Sequence, residues 1–105
     1  MTKEEIIDKL VLLKPQLEKE GFIINGIFGS YARGDYRENS DIDILYSLKN
    51  PHKFTKINRG FGAFTKIKKM KDFLIDKFNK DIDFVDKSSL SRTGKKYILG
   101  ELVCI

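Results

Sequence analysis

Aspartates alternate with apolar residues in two short segments of the chain, Asp41–Tyr46 and Asp81–Asp86. This period-two pattern predicts β-strands that have one charged face and one apolar face. In the first segment Asp41 and Asp43 share the charged face, and the intervening isoleucines are expected to point into a core. The fold must therefore bury one side of each strand and leave the carboxylates on the other side.

The other apolar patterns predict helices and one further strand around these segments. Thr2 and Glu5 form a capping box at the start of a helix that ends near Glu20, and we expect Pro15 to kink or break it. An apolar run predicts a strand over Phe22–Phe28. The remaining predicted elements are a short helix from Ser30 to Arg33, a loop over residues 47–60, a basic amphipathic helix over residues 61–78, a helix over Lys95–Leu99 that Gly100 ends, and an apolar terminal segment over Leu102–Ile105.

This order of elements predicts an α/β fold in which helices pack on a small mixed β-sheet, in one domain that spans residues 1–105. No apolar run reaches the ~18 residues that a membrane-spanning helix needs. The acidic start of the chain lacks the basic and apolar regions of a signal peptide. We therefore expect a cytoplasmic protein. The single cysteine, Cys104, excludes an internal disulfide, and we expect it to pack among apolar neighbours.

Positive charge is concentrated in the second half of the chain. Residues 1–50 hold seven Lys/Arg and nine Asp/Glu, whereas residues 51–105 hold thirteen Lys/Arg and six Asp/Glu. A basic half of this kind attracts polyanions, but it is also typical of a solvated lysine face, which is the simpler interpretation. Charge alone does not distinguish among a nucleoside triphosphate, a nucleic acid and an acidic protein partner.

The carboxylates of Asp41 and Asp43 are expected to repel each other unless a cation lies between them. Residues two apart on a strand have Cα atoms about 6.6–6.8 Å apart, and neighbouring carboxylates raise each other's pKa. Mg²⁺ relieves such repulsion and is commonly held by one or two carboxylates together with substrate phosphates. If the two predicted strands are neighbours, Asp83 supplies a third carboxylate, and three are enough for two metal ions. Asp81 has the same strand parity, but it opens its strand, and we prefer Asp83.

The turn after the first predicted strand has features of an anion-binding site. Gly29 permits a close backbone approach, and Ser30 lies at a helix N-terminus, where backbone amides bind anions. Arg33 follows within one helical turn and can neutralise negative charge. The GxxxxGK[ST] pattern of a P-loop is absent. Taken singly, Gly-Ser and Asp-Ile-Asp are also typical of purely structural turns and strands, whereas their combination, with Ile42 twelve positions after Ser30, favours a nucleotide site.

Together, Gly29–Gly34 and Ser40–Ile44 resemble the signature of the minimal nucleotidyltransferases, which belong to the DNA polymerase β-like nucleotidyltransferase superfamily. Asp81–Val85 resembles the strand that carries the third carboxylate of this family, and the similarity covers nearly the whole chain. The resemblance implies the transfer of a nucleoside monophosphate, AMP from ATP, to a hydroxyl group, with release of pyrophosphate. It also implies that Gly29 and Ser30 bind the triphosphate, and that Asp41, Asp43 and Asp83 hold two Mg²⁺ ions and serve catalysis.

Stand-alone members of this family are commonly antitoxins. The resemblance therefore implies that the acceptor is a tyrosine of a HEPN-family ribonuclease toxin. Two alternatives remain open: a nucleotidyltransferase that acts on a small molecule such as an aminoglycoside, and a non-catalytic antitoxin or binding module. The complete set of three carboxylates favours an active enzyme. We expect ATP and a toxin protein as partners, and neither a membrane nor a nucleic acid.

Overall fold

The computed structural model describes residues 1–57 and 61–105, with the backbone alone at residue 61. Helices and strands follow one another in an order close to the predicted one. The helices are α1 Lys3–Lys19, α2 Gly29–Arg33, α3 Pro51–Ile57, α4 Phe61–Phe78 and α5 Arg92–Glu101, the strands are β1 Phe22–Phe28, β2 Ile42–Leu48, β3 Ile82–Asp86 and β4 Val103–Cys104, and a 3₁₀ turn spans Lys87–Ser89. In the described part of the chain, no helix is long and apolar enough to cross a membrane.

The strands form one mixed sheet in the order β3-β2-β1-β4. β1 is antiparallel to both of its neighbours, β2 and β4, whereas β2 and β3 are parallel. Parallel strands need a crossover connection, which α3 and α4 provide. This mixed architecture confirms the predicted α/β class, and it makes the two aspartate-bearing strands direct neighbours.

One face of the sheet packs against α1 and α4, which lie beside each other. Nζ of Lys9 on α1 lies 5.3 Å from the ring centre of Phe78 on α4. Burial of a large apolar side chain contributes about 1.5–3 kcal/mol relative to exposure, so this layer holds the fold together. Because side chains alternate along a strand, the same packing leaves the aspartates on the opposite face. The most deeply buried members of this core include Ile6, Leu10, Leu17, Ile24, Ile27, Ile42, Ile44 and Leu74.

α1 begins at the predicted capping box and continues through its proline. Thr2 Oγ1 accepts a hydrogen bond from the Glu5 amide at 3.1 Å, and Glu5 Oε1 accepts one from the Thr2 amide at 3.3 Å. The predicted break near Pro15 is wrong, because the helix runs uninterrupted over its 17 residues. Proline removes one backbone hydrogen bond, to the carbonyl of Val11. Both residues are exposed, so water can satisfy that carbonyl.

The predicted loop over residues 47–60 contains a helix, α3, so this part of the prediction is wrong. Pro51 occupies its first position, where proline has no intrahelical hydrogen bond to lose. Asn50 Oδ1 accepts a hydrogen bond from the Lys53 amide at 3.1 Å, as a residue before a helix commonly does. The pair that predicted a loop is thus the start of a helix. Residues 58–60 lie outside the described part of the chain.

The C-terminal elements also differ from the prediction. α5 continues through Gly100 and ends at Glu101, and the following residues form β4, which pairs with β1. A Cβ on Gly26 of β1 would lie 2.1 Å from the carbonyl oxygen of Val103, so the close approach of β4 requires a glycine there. Cys104 is exposed rather than packed, because it lies on the edge strand of the sheet.

Candidate active site

The three predicted carboxylates lie at the end of the sheet where β1 ends and β2 and β3 begin. Asp43 of β2 pairs in register with Asp83 of β3, and on its other side it pairs with Phe28, the last residue of β1. Asp41 lies two residues before Asp43 and has the same strand parity. The structure therefore makes Asp43 and Asp83 direct neighbours, although they are forty residues apart in the sequence, and Asp41 lies two residues from Asp43.

Asp81, the alternative to Asp83, lies one residue before β3. Its backbone carbonyl accepts a hydrogen bond from the Ile42 amide at 3.0 Å. Together with Asp41, it lines a cleft of about 390 Å³ beside the carboxylates. The charges of Asp83 and Asp41 both act on Asp43. By register and by charge, Asp83 is thus a direct neighbour of Asp43, whereas Asp81 contributes to the adjoining cleft.

Burial and like charge raise the pKa of Asp43 to about 6. The largest cause is the partial burial of its carboxyl group, followed by the negative charges of Asp83, Asp41 and Glu101, and Arg33 opposes the shift. At neutral pH, Asp43 is therefore mostly ionised within a cluster that the chain neutralises only in part. Such a cluster favours a bound cation, because the cation removes the repulsion.

Gly29 begins α2 and lies against the carboxylate of Asp43. Its φ is +74°, a region that glycine adopts readily, and a Cβ there would lie 1.9 Å from Oδ2 of Asp43. Any other residue at this position would collide with Asp43 or displace it. The glycine thus allows the α2 backbone to approach the carboxylate of Asp43. Ser30 follows in the first turn of α2 and is partly buried.

Gly29 and Arg33 share one carboxylate, that of Glu101 at the end of α5. Glu101 Oε1 accepts a hydrogen bond from the Gly29 amide at 2.9 Å, and Oε2 accepts one from Nη1 of Arg33 at 2.9 Å. Arg33 Nε also donates to Asp35 Oδ2 at 3.2 Å. These bonds, that to Glu101 first, raise the pKa of Arg33 above its usual value. The guanidinium is consequently held beside the glycine turn.

Glu101 is not among the site residues that the sequence predicts. Its partners Arg33 and Gly29 lie 68 and 72 positions earlier in the sequence. These contacts depend on the pairing of β4 with β1. No local sequence motif predicts such a contact. The available signal is that Glu101 is the only acidic residue after Asp86 in an otherwise basic stretch of sequence.

The oxygen donors of this site suit a hard divalent cation such as Mg²⁺. Among residues 1–57 and 61–105, no three His, Cys, Asp or Glu side chains converge closely enough to hold a metal ion by themselves. Proteins usually bind Mg²⁺ through one or two carboxylates, with water and substrate phosphates completing the coordination. The crowded, incompletely neutralised carboxylates of Asp41, Asp43 and Asp83 fit that mode of binding.

A family profile described as the nucleotidyltransferase domain matches residues 25–103. The matched region includes the glycine turn and all three carboxylates. The chain therefore belongs to the nucleotidyltransferase domain family, and it is an enzyme of the nucleotidyltransferase class. Nucleotidyltransferases of this family generally use a divalent metal ion.

Several relatives resemble the chain over most of its length. The protein adenylyltransferase MntA of Thermococcus cleftensis is 32% identical over 106 residues, covering 100% of this chain and 97% of its own. A Methanocaldococcus jannaschii protein, also named as a protein adenylyltransferase, is 33% identical over 103 residues, covering 98% of this chain and 97% of its own. The similarity thus concerns nearly whole chains rather than the motif alone.

Solved structures share the fold. A minimal nucleotidyltransferase superposes with a TM-score of 0.77 at 22% identity and covers 100% of this chain and 97% of its own. A chain from a crystal structure of a toxin-antitoxin with AMP-PNP has a TM-score of 0.60 at 22% identity and covers 95% of this chain and 68% of its own. At this level of identity the likeness establishes the architecture, which is that of a minimal nucleotidyltransferase.

Proposed function

We propose that this chain is a protein adenylyltransferase that transfers AMP from ATP to a hydroxyl group of a partner protein. The observation that carries the proposal is the register pairing of Asp43 with Asp83 beside the Gly29 turn. In this arrangement, the carboxylate of Asp43 lies next to the backbone that would hold a triphosphate, and Asp83 is its partner on the neighbouring strand. The relatives named as protein adenylyltransferases support a protein as the acceptor.

The nucleotide would bind at the turn between β1 and α2. The backbone around Gly29 and the amide and hydroxyl groups of Ser30 would hold the phosphates, because the first turn of a helix has N–H groups without intrahelical partners. Arg33 would offset part of the triphosphate charge, since its guanidinium lies beside the same turn. The structural neighbour with AMP-PNP supports ATP as the nucleotide.

Asp41, Asp43 and Asp83 would hold two Mg²⁺ ions. When bound, these ions supply charge neutralisation for the phosphates and favour ionisation of the acceptor hydroxyl. The protein's own task is to align the reactants and to accept the proton. We assign proton acceptance to the Asp83 carboxylate, which is exposed on its strand and therefore accessible to an incoming hydroxyl.

The reaction is an in-line substitution at the α-phosphorus. The acceptor oxygen forms a bond to that phosphorus, and the bond from the phosphorus to the oxygen that bridges the α- and β-phosphates breaks. Pyrophosphate leaves with the electron pair of the broken bond, and the hydroxyl proton passes to Asp83. Positioning of the two reactants and preorganised charge supply the rate enhancement.

We propose a tyrosine of a HEPN-family ribonuclease toxin as the acceptor, which makes the chain an antitoxin. The resemblance to stand-alone minimal nucleotidyltransferases supports this assignment. The toxin-antitoxin structure among its structural neighbours gives further support. Modification of the toxin would then be the means of its inhibition.

The test is to incubate the protein with ATP labelled at the α-phosphate, Mg²⁺ and candidate acceptors, which are an aminoglycoside and any HEPN-family protein encoded in an adjacent reading frame. Label should appear on that protein, and Asp41→Asn and Asp43→Asn should abolish it. Label on an aminoglycoside instead would favour the small-molecule enzyme. Absence of transfer to any acceptor, with partner inhibition intact in both variants, would favour the non-catalytic antitoxin.

A second pair of variants tests the choice of the third carboxylate. Asp83→Asn should abolish transfer, because Asp83 is the register partner of Asp43. Asp81→Asn should retain most of it, because Asp81 lines the adjoining cleft. The reverse pattern would show that Asp81 is the third carboxylate.

A further inference from the structure

Glu101, near the C-terminus, contacts both the Gly29 amide and Arg33, which are proposed to hold the nucleotide. One of its oxygens accepts the hydrogen bond of the Gly29 amide, and the other accepts that of Arg33, each at 2.9 Å. A single carboxylate thus joins the backbone of the glycine turn to the cation that follows it. Glu101 is neither a predicted site residue nor a participant in the proposed reaction.

The position of Glu101 is fixed by the sheet. It is the last residue of α5, and β4 follows it after one residue and pairs with β1. Val103 lies opposite Ile27, and its carbonyl oxygen approaches Gly26 so closely that a Cβ there would be 2.1 Å away. Because β1 leads directly into Gly29, the same strand carries the turn and anchors the segment that contacts it.

The contacts of Glu101 restrict the conformation of both partners. The hydrogen bond from the Gly29 amide to Glu101 fixes the orientation of the peptide group before Gly29. Without it, the observed φ of +74° would be one of several values open to glycine. Arg33 donates Nη1 to Glu101 and Nε to Asp35, which uses two of its five N–H groups and leaves the others for a ligand. Charge-assisted bonds of this kind hold a planar guanidinium in a defined direction.

We propose that Glu101 is a positioning residue for nucleotide binding, which holds the Gly29 turn and the Arg33 guanidinium in the arrangement that receives the triphosphate. This inference rests on the proposed function. Glu101 itself would not touch the reacting atoms. Its removal would free the turn and the guanidinium to adopt other conformations, and the nucleotide would have to order them on binding.

The opposite change in nucleotide affinity is expected if Glu101 competes with phosphate. A carboxylate that occupied the place of a phosphate oxygen would have to leave before ATP could bind, and its negative charge would repel the triphosphate. Removal of Glu101 would then strengthen nucleotide binding. The direction of the change in affinity therefore distinguishes positioning from competition.

The experiment compares the wild-type chain with Glu101→Ala and Glu101→Gln. Binding of a non-hydrolysable ATP analogue with Mg²⁺ is measured by calorimetry, and KM and kcat are measured for AMP transfer. We expect Glu101→Ala to weaken binding roughly three- to tenfold, which is the effect of losing about one hydrogen bond of net stabilisation. Glu101→Gln, which keeps an acceptor for the Gly29 amide, should recover part of this loss. KM should change more than kcat.

The matched control is Glu20→Ala, which also removes one negative charge, in this case from an ion pair with Lys66. Glu20 lies just before β1 begins, at the opposite end of that strand from the Gly29 turn. This variant should leave nucleotide affinity unchanged. In addition, the Gly29 amide resonance in proton–nitrogen NMR spectra should move in Glu101→Ala and stay in place in Glu20→Ala. A purely structural role of Glu101 would lower thermal stability without changing the affinity of the folded protein.

Each outcome decides the matter. Wild-type affinity, or tighter binding, in the Glu101 variants would overturn the positioning role. If Glu101→Ala does not fold, wild-type affinity and KM in Glu101→Gln would overturn it. A wild-type protein that binds no ATP analogue would instead refute the proposed function. If the wild type binds the analogue and transfers AMP, and the Glu101 variants do so equally well, this inference alone is refuted.

Discussion

The two ends of the β-sheet balance their charges differently. At the acidic end, defined by Asp41, Asp43 and Asp83, carboxylates from neighbouring strands face one another, and the pKa of Asp43 is raised to about 6. Arg33 offsets part of this charge, but it is already hydrogen-bonded to Glu101. Negative charge therefore remains in excess at this end.

At the basic end, where β1 begins and β2 ends, lysines pair with glutamates near the end of α1. Lys66 pairs with Glu20, and Nζ of Lys49 lies 3.8 Å from Oε1 of Glu18. These residues line a groove of about 640 Å³, which is larger than the cleft at the acidic end. At the larger groove, lysines and glutamates form ion pairs, whereas the acidic end combines unbalanced negative charge with a close backbone approach at Gly29. For this reason we propose the acidic end as the ligand site.

The largest expected effect comes from breaking the acidic end. Asp43→Asn should reduce AMP transfer by at least roughly 10²–10³-fold, because it removes charge that would face the metal and the phosphates. Initial rates with labelled ATP provide the measurement. Asp72→Asn is the control, since Asp72 forms an exposed ion pair with Lys68 on α4 and should retain full activity. Equal losses in both variants would contradict the assignment of the site.

A second test concerns the backbone at the acidic end. Gly29→Ala should destabilise the protein by about 1–2 kcal/mol through its positive φ and by about 1–3 kcal/mol more through the collision with Asp43. Gly34→Ala is a matched control, because Gly34 has a φ of +87° but nothing within 4 Å of an added Cβ. Urea unfolding measures both. Similar free energies for the two variants would mean that the contact with Asp43 contributes little.

The raised pKa of Asp43 predicts a pH-dependent stability. Its pKa is 3.8 without perturbation and about 6 in the folded chain, so the folded state holds the proton more tightly. Stability associated with Asp43 is therefore full below about pH 4, falls as the pH rises towards 6, and stays low above that. The cost above pH 6 is about 1 kcal/mol, well below the ~3 kcal/mol of a fully buried group, because solvent screens the partly exposed carboxyl.

The measurement is the free energy of unfolding of wild type and Asp43→Asn from pH 4 to pH 8. Asp43→Asn should be more stable than wild type above pH 6, and the difference should vanish near pH 4. Mg²⁺ at pH 7 should raise the stability of the wild type more than that of the variant, because the ion relieves the repulsion. A constant difference across the pH range would contradict the linkage to Asp43.

The smallest effect is expected at the basic end. Glu20→Ala should change the free energy of unfolding by less than about 1 kcal/mol, as for other exposed ion pairs, and should leave AMP transfer unchanged. Thermal unfolding at low and high salt is the measurement, because salt screens exposed pairs. A large loss of activity would place a functional site at this end and would end the contrast between the two ends.

The acidic end was predictable from the sequence because its determinants are local. The alternation around Asp43 and around Asp83 indicates two strands with one charged face each, and the neighbouring apolar residues fix which face is buried. Gly29 directly follows a strand and precedes a short helix, which is where a close backbone approach is expected. The sequence alone did not require β2 and β3 to be adjacent, and that adjacency was the condition on which the predicted third carboxylate depended.

The errors have physical causes that local patterns do not contain. Pro15 was expected to kink or break α1, but no break occurs, because its exposed position lets water replace the lost hydrogen bond. Asn50-Pro51 predicts a loop but begins α3, because the same two residues begin loops and helices alike. Glu101 acquires its partners only when β4 pairs with β1, so its contacts become visible only in the folded chain.

The crossover between β2 and β3 bears on how such a chain can diversify. β2 starts at the acidic end and runs away from it, α3 follows at the far end, and α4 returns to the start of β3. Insertions or deletions between Leu48 and α4 would therefore accumulate at the far end, where they leave the alignment of Asp43 with Asp83 untouched. The fold therefore allows this segment to differ in length and composition without moving Asp43 relative to Asp83.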